Sequence, residues 1–500
     1  MKRDGSRRVP RAEGLGSRAA LASSQSSRSA GNYPGMPAND EVFGWVTDLW
    51  RFGDQSKYGY RMPGTAADQQ AAQYIERKFQ EFGLDDVRRE PMNVFTSFPD
   101  RWSLKISVNG GSEDLPCCFV RYAAFTPQEG ITGELVHVGD ASEEQFATRN
   151  VAGKIVVVDL LAPSGYYDDG GGGSILYAYD PRGTLGAPRG SNGFPVLNLA
   201  SSIDLARRRG AIGYIGILTF RANDDCQEYH GPKYGNQVIT AVTISPASGE
   251  YLRKCMASRP VRGTIVLTEQ PDIWRTSSFG SWGVTYNLYG VVPGTSKEMI
   301  VVMSHHDGGA TNEASGVSVV MALARYFAGL PKPAVARSLL FFARGSHFGL
   351  RPPLLDGCPA LAAVKDSVVC VMNIEMVGRQ MDLVAGKYLP TELIAPTRFG
   401  ISTAHPRLVS IVQKAIERHG LERTVIASRL DGEGVVMKMA GFWPVIERIS
   451  LNAPQFSSAD TPATVMKEAL RPTACAFADI IAEIDRIPAH ELRATEPERA

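Results

Sequence analysis

Val301-Val-Met-Ser-His305-His306-Asp307-Gly-Gly-Ala-Thr-Asn312-Glu313-Ala-Ser-Gly316 is the stretch on which the fold turns. It closes an apolar run over 298–304 and leads into an amphipathic helix over 317–327. A run of Val, Ile and Met without polar alternation is what a strand covered on both faces requires. The same rhythm recurs, with strands predicted at 336–342, 367–374 and 443–446 and helices at 407–419 and 468–484. Strands alternating with helices give an α/β sandwich of three layers around a mixed, mostly parallel sheet. Ligands of such sheets bind beyond the carboxyl ends of the strands.

Two helices precede this core. Val42, Trp45, Val46 and Leu49 recur at helical spacing, and Ala71, Tyr74, Ile75, Phe79 and Phe82 form one stripe that stops at Gly83. Trp102, Leu104, Ile106 and Val108 then alternate as a strand before the turn residues Asn109, Gly110 and Gly111. Short strands at 133–138, 154–160, 211–218, 237–244 and 263–268, set among Gly-rich loops, indicate an inserted β-rich domain. The division expected is a disordered tail at 1–38, the first part of the core domain at 39–125, the insert at 126–272, the rest of the core at 273–488 and a tail at 489–500. A Tyr-rich stretch in the insert, with Tyr166, Tyr167, Tyr177 and Tyr179, reads either as a solvent loop or as a lid over a substrate pocket. Aromatic rings are costly to leave in water.

Composition narrows the partners. The 500 residues carry 53 Lys+Arg against 52 Asp+Glu, a net charge of +1, so no global field draws nucleic acid or an anionic membrane. Apolar content of 44% and charged content of 21% are those of a packed soluble chain, and no run approaches the roughly 18–20 apolar residues of a membrane span. The 50 glycines and 31 prolines point to long functional loops. Seven scattered cysteines, an odd number, read as reduced thiols. The first 38 residues hold no apolar core of a signal peptide, and Arg7-Arg8 lacks the stretch a twin-arginine signal needs, so a cytoplasmic protein is expected.

Three strand ends are polar. The first is the His305-His306-Asp307 cluster, the second is Arg344-Gly-Ser346-His347, and the third is Asn373-Ile-Glu375. Neighbouring parallel strands lie about 4.8 Å apart, close enough to bring His305, His347 and Glu375 to one point. Two imidazoles and a carboxylate suit one divalent ion, zinc foremost, with Asn312 as a further oxygen donor. Asp307, Glu313, Ser346, His347 and Glu375 are the catalytic candidates. A single histidine at a strand end is an ordinary structural residue; three polar ends together are a site.

Here the sequence resembles the co-catalytic zinc aminopeptidases of peptidase family M28, in the subgroup with an inserted protease-associated (PA) domain. Arg61-Met-Pro-Gly64 with the following helix resembles that family's opening segment. Val151-Ala-Gly-Lys-Ile-Val156 and Arg209-Gly-Ala-Ile-Gly213 resemble the PA domain, and Asn287-Leu-Tyr-Gly-Val-Val-Pro-Gly294 resembles the start of the catalytic domain. The likeness runs over about residues 40–488. It implies two zinc ions held by a His, a bridging Asp, a Glu, a second Asp and a C-terminal His, with another Glu as general base. On those positions stand His305, Asn312, His347, Glu375, Phe456 and, for the base, Ser346, while Asp307 keeps the acid that orients the histidine.

These departures decide what to expect. Two divalent ions about 3.5 Å apart need an anionic bridge, and Asn312 carries no charge. Phe456 ligates nothing, so a two-zinc centre is not expected. A hydroxyl at 346 does not replace a carboxylate base, which is worth about 10²–10⁴ in rate. Three readings stay open. One is a hydrolase of an amide or peptide-type bond in a small substrate, using one divalent ion. Another is a metal-independent acid–base enzyme, a lyase, cyclase or esterase/amidase. The third is a binding protein without catalysis. His306, Glu447, Phe456 and Asp460 join the four tyrosines as pocket candidates; Asp431, Glu433 and Glu447 lie where the resemblance puts the substrate pocket, and read otherwise as surface or ion-paired carboxylates, and a homo-oligomer is compatible with the sequence.

Overall fold

The computed structural model describes residues 33–108, 110–161, 174–185, 198–229, 239–269, 275–277, 280–347, 349, 351–450 and 454–493. Among them, ten strands form the main sheet. Its order is Asp85–Thr96, Gly280–Val292, Ser338–Arg344, Met299–His305, Val368–Ile374, Val445–Ser450, Thr397–Ile401, Thr424–Ala427 and Ile175–Tyr179, with Arg275–Ser277 beside the second. The four central strands from Ser338–Arg344 to Val445–Ser450 are parallel, as the apolar runs of the first three predict, while the fourth carries Glu447 and Arg448.

Alternate residues of these strands feed two cores. Ile300, Val302, Leu339, Phe341, Cys370 and Met372 pack under the helices Asn39–Asp54, Ala66–Glu81, Ala314–Ala328, Pro406–Arg418 and Leu470–Asp485. Val301, Met303, Leu340, Phe342 and Val371 face the opposite layer, which holds Leu354–Gly357, Pro359–Val364 and Gly432–Met439. This period of two is the sandwich expected. Helix Ala314–Ala328 is buried along almost its whole length. Its start lies so close to the third strand end that a Cβ on Gly316 would fall 1.8 Å from the Glu375 carbonyl oxygen, so only glycine fits there.

A second, eight-stranded sheet has the order Gly111–Leu115, Arg101–Val108, Arg262–Thr268, Ile131–His137, Ile155–Leu160, Gly213–Leu218, Thr240–Ile244 and Cys117–Phe119. It therefore begins near residue 101, not at 126. The alternation of Trp102 to Val108 marks a strand, but alternation does not name the partner, and that partner is Arg262–Thr268, far along the chain. Ile175–Tyr179 departs in the other direction: it lies within the insert in sequence and pairs with Thr424–Ala427 at the edge of the main sheet. At the C-terminus, the residues expected as a tail include a short helix, Ala489–Arg493, with Leu492 buried. No helix among the described residues is long and apolar enough to cross a membrane.

Candidate active site

The strand register builds the site. His305 pairs with Arg344 on one side, Met303 pairs with Asn373 on the other, and Asn373 pairs with Glu447 beyond it. The parallel strands thus carry His305 beside Arg344 in one row, and Asn373 beside Glu447 in the row of Met303, two residues earlier. His305, Asp307, Asn312 and Glu313 are all 0% exposed.

His305 sits between two carboxyl groups. Its Nδ1–H donates to Asp307 Oδ1 at 3.0 Å, and its Nε2 faces Glu313 Oε1 at 3.3 Å. Asp307 in turn accepts the His347 backbone N–H, at 2.9 and 2.8 Å to its two oxygens. Glu313 opens helix Ala314–Ala328 with a left-handed φ of 83°, which turns its side chain back over the Gly308 turn. Side chains rarely adopt that backbone region. A Cβ on Gly308 would fall 1.7 Å from Glu313 Oε2, so the turn must be glycine for the carboxyl to lie there. Burial, then the negative charges of Asp307, Asp460 and Glu375, hold the Glu313 carboxyl well above the usual carboxylate range.

Arg61 fixes the loop from below. Fully buried, it donates from Nε to the His306 carbonyl at 2.8 Å, from Nη2 to Gly309 at 2.7 Å and from Nη1 to Leu49 at 3.0 Å. His306 faces away from the cluster: Nε2–H donates to the Tyr286 carbonyl at 2.9 Å, Nδ1 lies 3.4 Å from Asp68, and burial pulls its pKa down to about 4. It is part of the scaffold. Asp460 receives the backbone N–H groups of Thr311 and Asn312 at 2.8 and 3.1 Å, and the Tyr60 hydroxyl at 3.3 Å. Tyr60, packed against Tyr229 with ring centroids 4.2 Å apart and planes tilted by 31°, lies beside Asn312.

The other half of the cluster centres on Glu433. Its carboxylate accepts from Arg344 Nη1, from Arg351 Nη2 at 2.7 Å and from His347 Nδ1–H at 3.0 Å. Burial alone would raise its pKa; the two guanidinium groups overcome that and hold it well below the carboxylate range. Glu375 accepts Asn373 Nδ2–H at 2.8 Å and the Glu433 backbone N–H at 2.7 Å. Glu447 accepts the backbone N–H of Asp431 and of Gly434, at 2.7 and 2.9 Å, and its carboxyl is pushed well up by burial and by the charge of Glu375. Ser346 accepts the Gly349 N–H at 3.1 Å and is fully buried.

The structure thus brings together His305, Asp307, Asn312, Glu313, Ser346, His347, Glu375, Glu447 and Asp460. Tyr166 and Tyr167 lie outside the described residues. Tyr177 and Tyr179 lie on the edge strand of the main sheet, where the Tyr177 hydroxyl bonds Glu417; they are not in the cluster, because backbone pairing with Thr424–Ala427 takes them to the rim. Phe456 adopts a left-handed φ of 65° and packs in the core of the second sheet, with its carbonyl accepting the Tyr229 N–H at 2.8 Å. Sequence reasoning passed over Tyr60 and Arg351, quoted Arg61 and Arg344 without giving either a role in the site, and left Glu433 between a pocket residue and a surface or ion-paired carboxylate. Arg344 carried a signal: a charge directly ending an apolar run, one strand away from His305.

Residues 287–423 match the model of Peptidase family M28. No curated protein matches the chain. Three solved structures give the M28-type fold over nearly the whole length. BSAP, a zinc aminopeptidase from Bacillus subtilis, is 17% identical with a TM-score of 0.62, covering 91% of this chain and 98% of its own. The aminopeptidase from Aneurinibacillus sp. strain AM-1 is 20% identical with a TM-score of 0.54, covering 92% and 99%. A peptidase M28 precursor from Shewanella amazonensis SB2B is 16% identical with a TM-score of 0.63, covering 92% and 100%. The fold is that of the zinc aminopeptidases.

A two-zinc centre does not fit the residues that stand here. Phe456 has no lone pair and belongs to another core, and the buried Asn312 brings no charge to the bridging position. The one-ion set of His305, His347, Glu375 and Asn312 does not converge in this arrangement. The two imidazoles lie face to face, with centroids 4.4 Å apart and planes 16° from parallel. Their in-plane lone pairs therefore run side by side, not to one point about 2 Å from both. Among the described residues no three His, Cys, Asp or Glu side chains are arranged to hold an ion.

Proposed function

We propose that the chain is a hydrolase of amide or peptide-type bonds in a small substrate, working by proton transfer between His305 and Glu313 with at most one divalent ion. The observation that carries this reading is the buried imidazole between Asp307 at 3.0 Å and Glu313 at 3.3 Å. Asp307 accepts the Nδ1 proton, which leaves the Nε2 lone pair as base. Glu313, kept protonated by its surroundings, is the acid. His305 Nε2 takes a proton from the attacking water as the oxygen bonds the acyl carbon. Glu313 gives its proton to the leaving nitrogen as the C–N bond breaks. The imidazolium then returns its proton to the Glu313 carboxylate, and the resting state is restored. Zinc would be the ion to suit a His and carboxylate set, but binding it would require His347 to leave Glu433.

A metal-independent lyase, cyclase or esterase using the same pair is the second reading, favoured by the engagement of His347 with Glu433 and of Glu375 with Asn373. The second sheet is read as a PA-type insert and contributes Tyr229 against Tyr60 at the edge of the site. Hydrolysis of an aminoacyl anilide by the full chain, before and after chelator, tests the proposal. Turnover that survives chelator and falls about 10²–10⁴-fold in Glu313→Gln supports it. A folded chain that cleaves no amide, ester or peptide substrate overturns it in favour of a binding role.

A further inference from the structure

Arg344 ends the strand Ser338–Arg344 directly beside His305, and its side chain is 0% exposed. A guanidinium has five N–H donors, and Nη1 is committed to Glu433 Oε2. Nε and Nη2 are buried and have no hydrogen-bond partner among the described residues. Buried donors are almost always paired, and leaving one bare costs stability, so two bare donors on one side chain call for an explanation.

The explanation does not lie in Glu433. Its Oε2 is taken by Arg344 Nη1, and its Oε1 receives both Arg351 Nη2 and His347 Nδ1. Nε and Nη2 form the side-on edge of the guanidinium, away from Nη1, where two parallel N–H groups match the two oxygens of a carboxylate. Asp307 and Glu375 are held by other donors: Asp307 by His305 and the His347 N–H, Glu375 by Asn373 and the Glu433 N–H. No carboxylate of the cluster is bonded to that edge.

We propose that the Nε/Nη2 edge of Arg344 is the binding site for a carboxylate of the substrate, and so that the substrate is an acid with its carboxylate next to the reacting bond. The substrate class rests on the hydrolase reading above; the carboxylate site itself stands without it. Arg351 tightens the arrangement by holding Glu433 from its other oxygen, which fixes the Arg344 plane through Nη1. Lysine at 344 would supply charge but not the fork.

Equilibrium binding, without turnover, separates this proposal from catalysis. The probes are acetate and acetone, which share a shape and differ in the anionic oxygen, titrated into the full-length protein with chloride as the ionic-strength control. Acetate is expected to bind about tenfold or more tighter than acetone. Arg344→Gln should erase the preference and Arg344→Lys should weaken it, while Arg351→Gln should leave acetate still preferred over acetone. Equal binding of the two probes, no binding of either, or an acetate preference that survives Arg344→Gln would overturn the proposal. Should Arg344→Gln not fold, a crystal of the native chain soaked in acetate decides: acetate bridging Nε and Nη2 supports the site, and water alone there refutes it. Phosphate displacing acetate with equal affinity would also count against it, since a tetrahedral oxyanion would then fit as well.

Discussion

Glu433 and Glu313 belong to one strand-end cluster, both fully buried, and their surroundings push their pKa values in opposite directions. Around Glu433 two guanidinium groups and an imidazole N–H converge, and the carboxyl is held ionised. Around Glu313 the neighbours are Asp307, Asp460 and Glu375, with Arg61 the opposing cation, and the carboxyl is pushed well above the usual carboxylate range. Burial disfavours charge at both positions; the sign of the neighbours decides the outcome. One half of the cluster is an ion-paired frame, and the other keeps a movable proton beside a histidine. A metal centre would instead ask every carboxylate here to be charged and aimed at one point.

The frame half is expected to show the largest effect. Glu433→Ala leaves Arg344 and Arg351 buried without their carboxylate and should cost about 3–5 kcal/mol, read by urea unfolding. A loss under about 1 kcal/mol would mean that the ion pairs do not hold the site together. The proton half should behave differently. Glu313→Gln keeps shape and neutrality, so stability should stay within about 1 kcal/mol of native while hydrolysis drops about 10²–10⁴-fold. If stability falls as far as in Glu433→Ala, then Glu313 is ionised and the contrast between the halves fails.

Acid titration sharpens the same contrast. Glu433 has a folded pKa below its ordinary 4.5, so its contribution is present above that value and is lost as pH falls through the folded pKa. Glu313 has a folded pKa above 4.5, so its contribution is complete below that value and is lost as pH rises toward the folded pKa. Stability measured against pH should therefore fall less steeply on acidification in Glu433→Gln, and decline less with rising pH above 4.5 in Glu313→Gln, than in the native chain. Matching slopes in the two variants would contradict the opposite directions of the two shifts. The smallest effect is expected at a solvated pair. Arg182 and Glu422, just outside the paired strands Ile175–Tyr179 and Thr424–Ala427, form an ion pair with half of the arginine exposed, and Arg182→Ala should cost less than about 1 kcal/mol in the same unfolding experiment.

Much of this arrangement is written locally in the chain. The apolar run ending in His305, and its counterparts ending in Arg344 and Asn373, required parallel strands, and the register then brought their polar ends to one end of the sheet, His305 level with Arg344 and two residues beyond Asn373. His305, Asp307, Glu313, His347 and Glu375 could be chosen for that reason. Glu433 could not, because Gly432-Glu433-Gly434 opens a helix of only eight residues and shows no periodicity that points its side chain inward. Arg61 and Tyr60 come from a turn some 245 residues before the loop they support, a separation that no local pattern reveals. The boundary of the second sheet failed for the same reason: strand Arg101–Val108 is legible, but its pairing with Arg262–Thr268 is a long-range choice. Composition leaves Tyr177 and Tyr179 open between a solvent loop and a lid, whereas the backbone of Ile175–Tyr179 pairs at the sheet edge.

The claim on which the rest depends is that this M28-type fold no longer assembles a two-zinc centre. Native mass spectrometry of the full chain, saturated with zinc and then freed of excess, measures this directly. The expected result is no more than one zinc per chain, unchanged in Phe456→Ala. Two zinc ions per chain at full occupancy would contradict it.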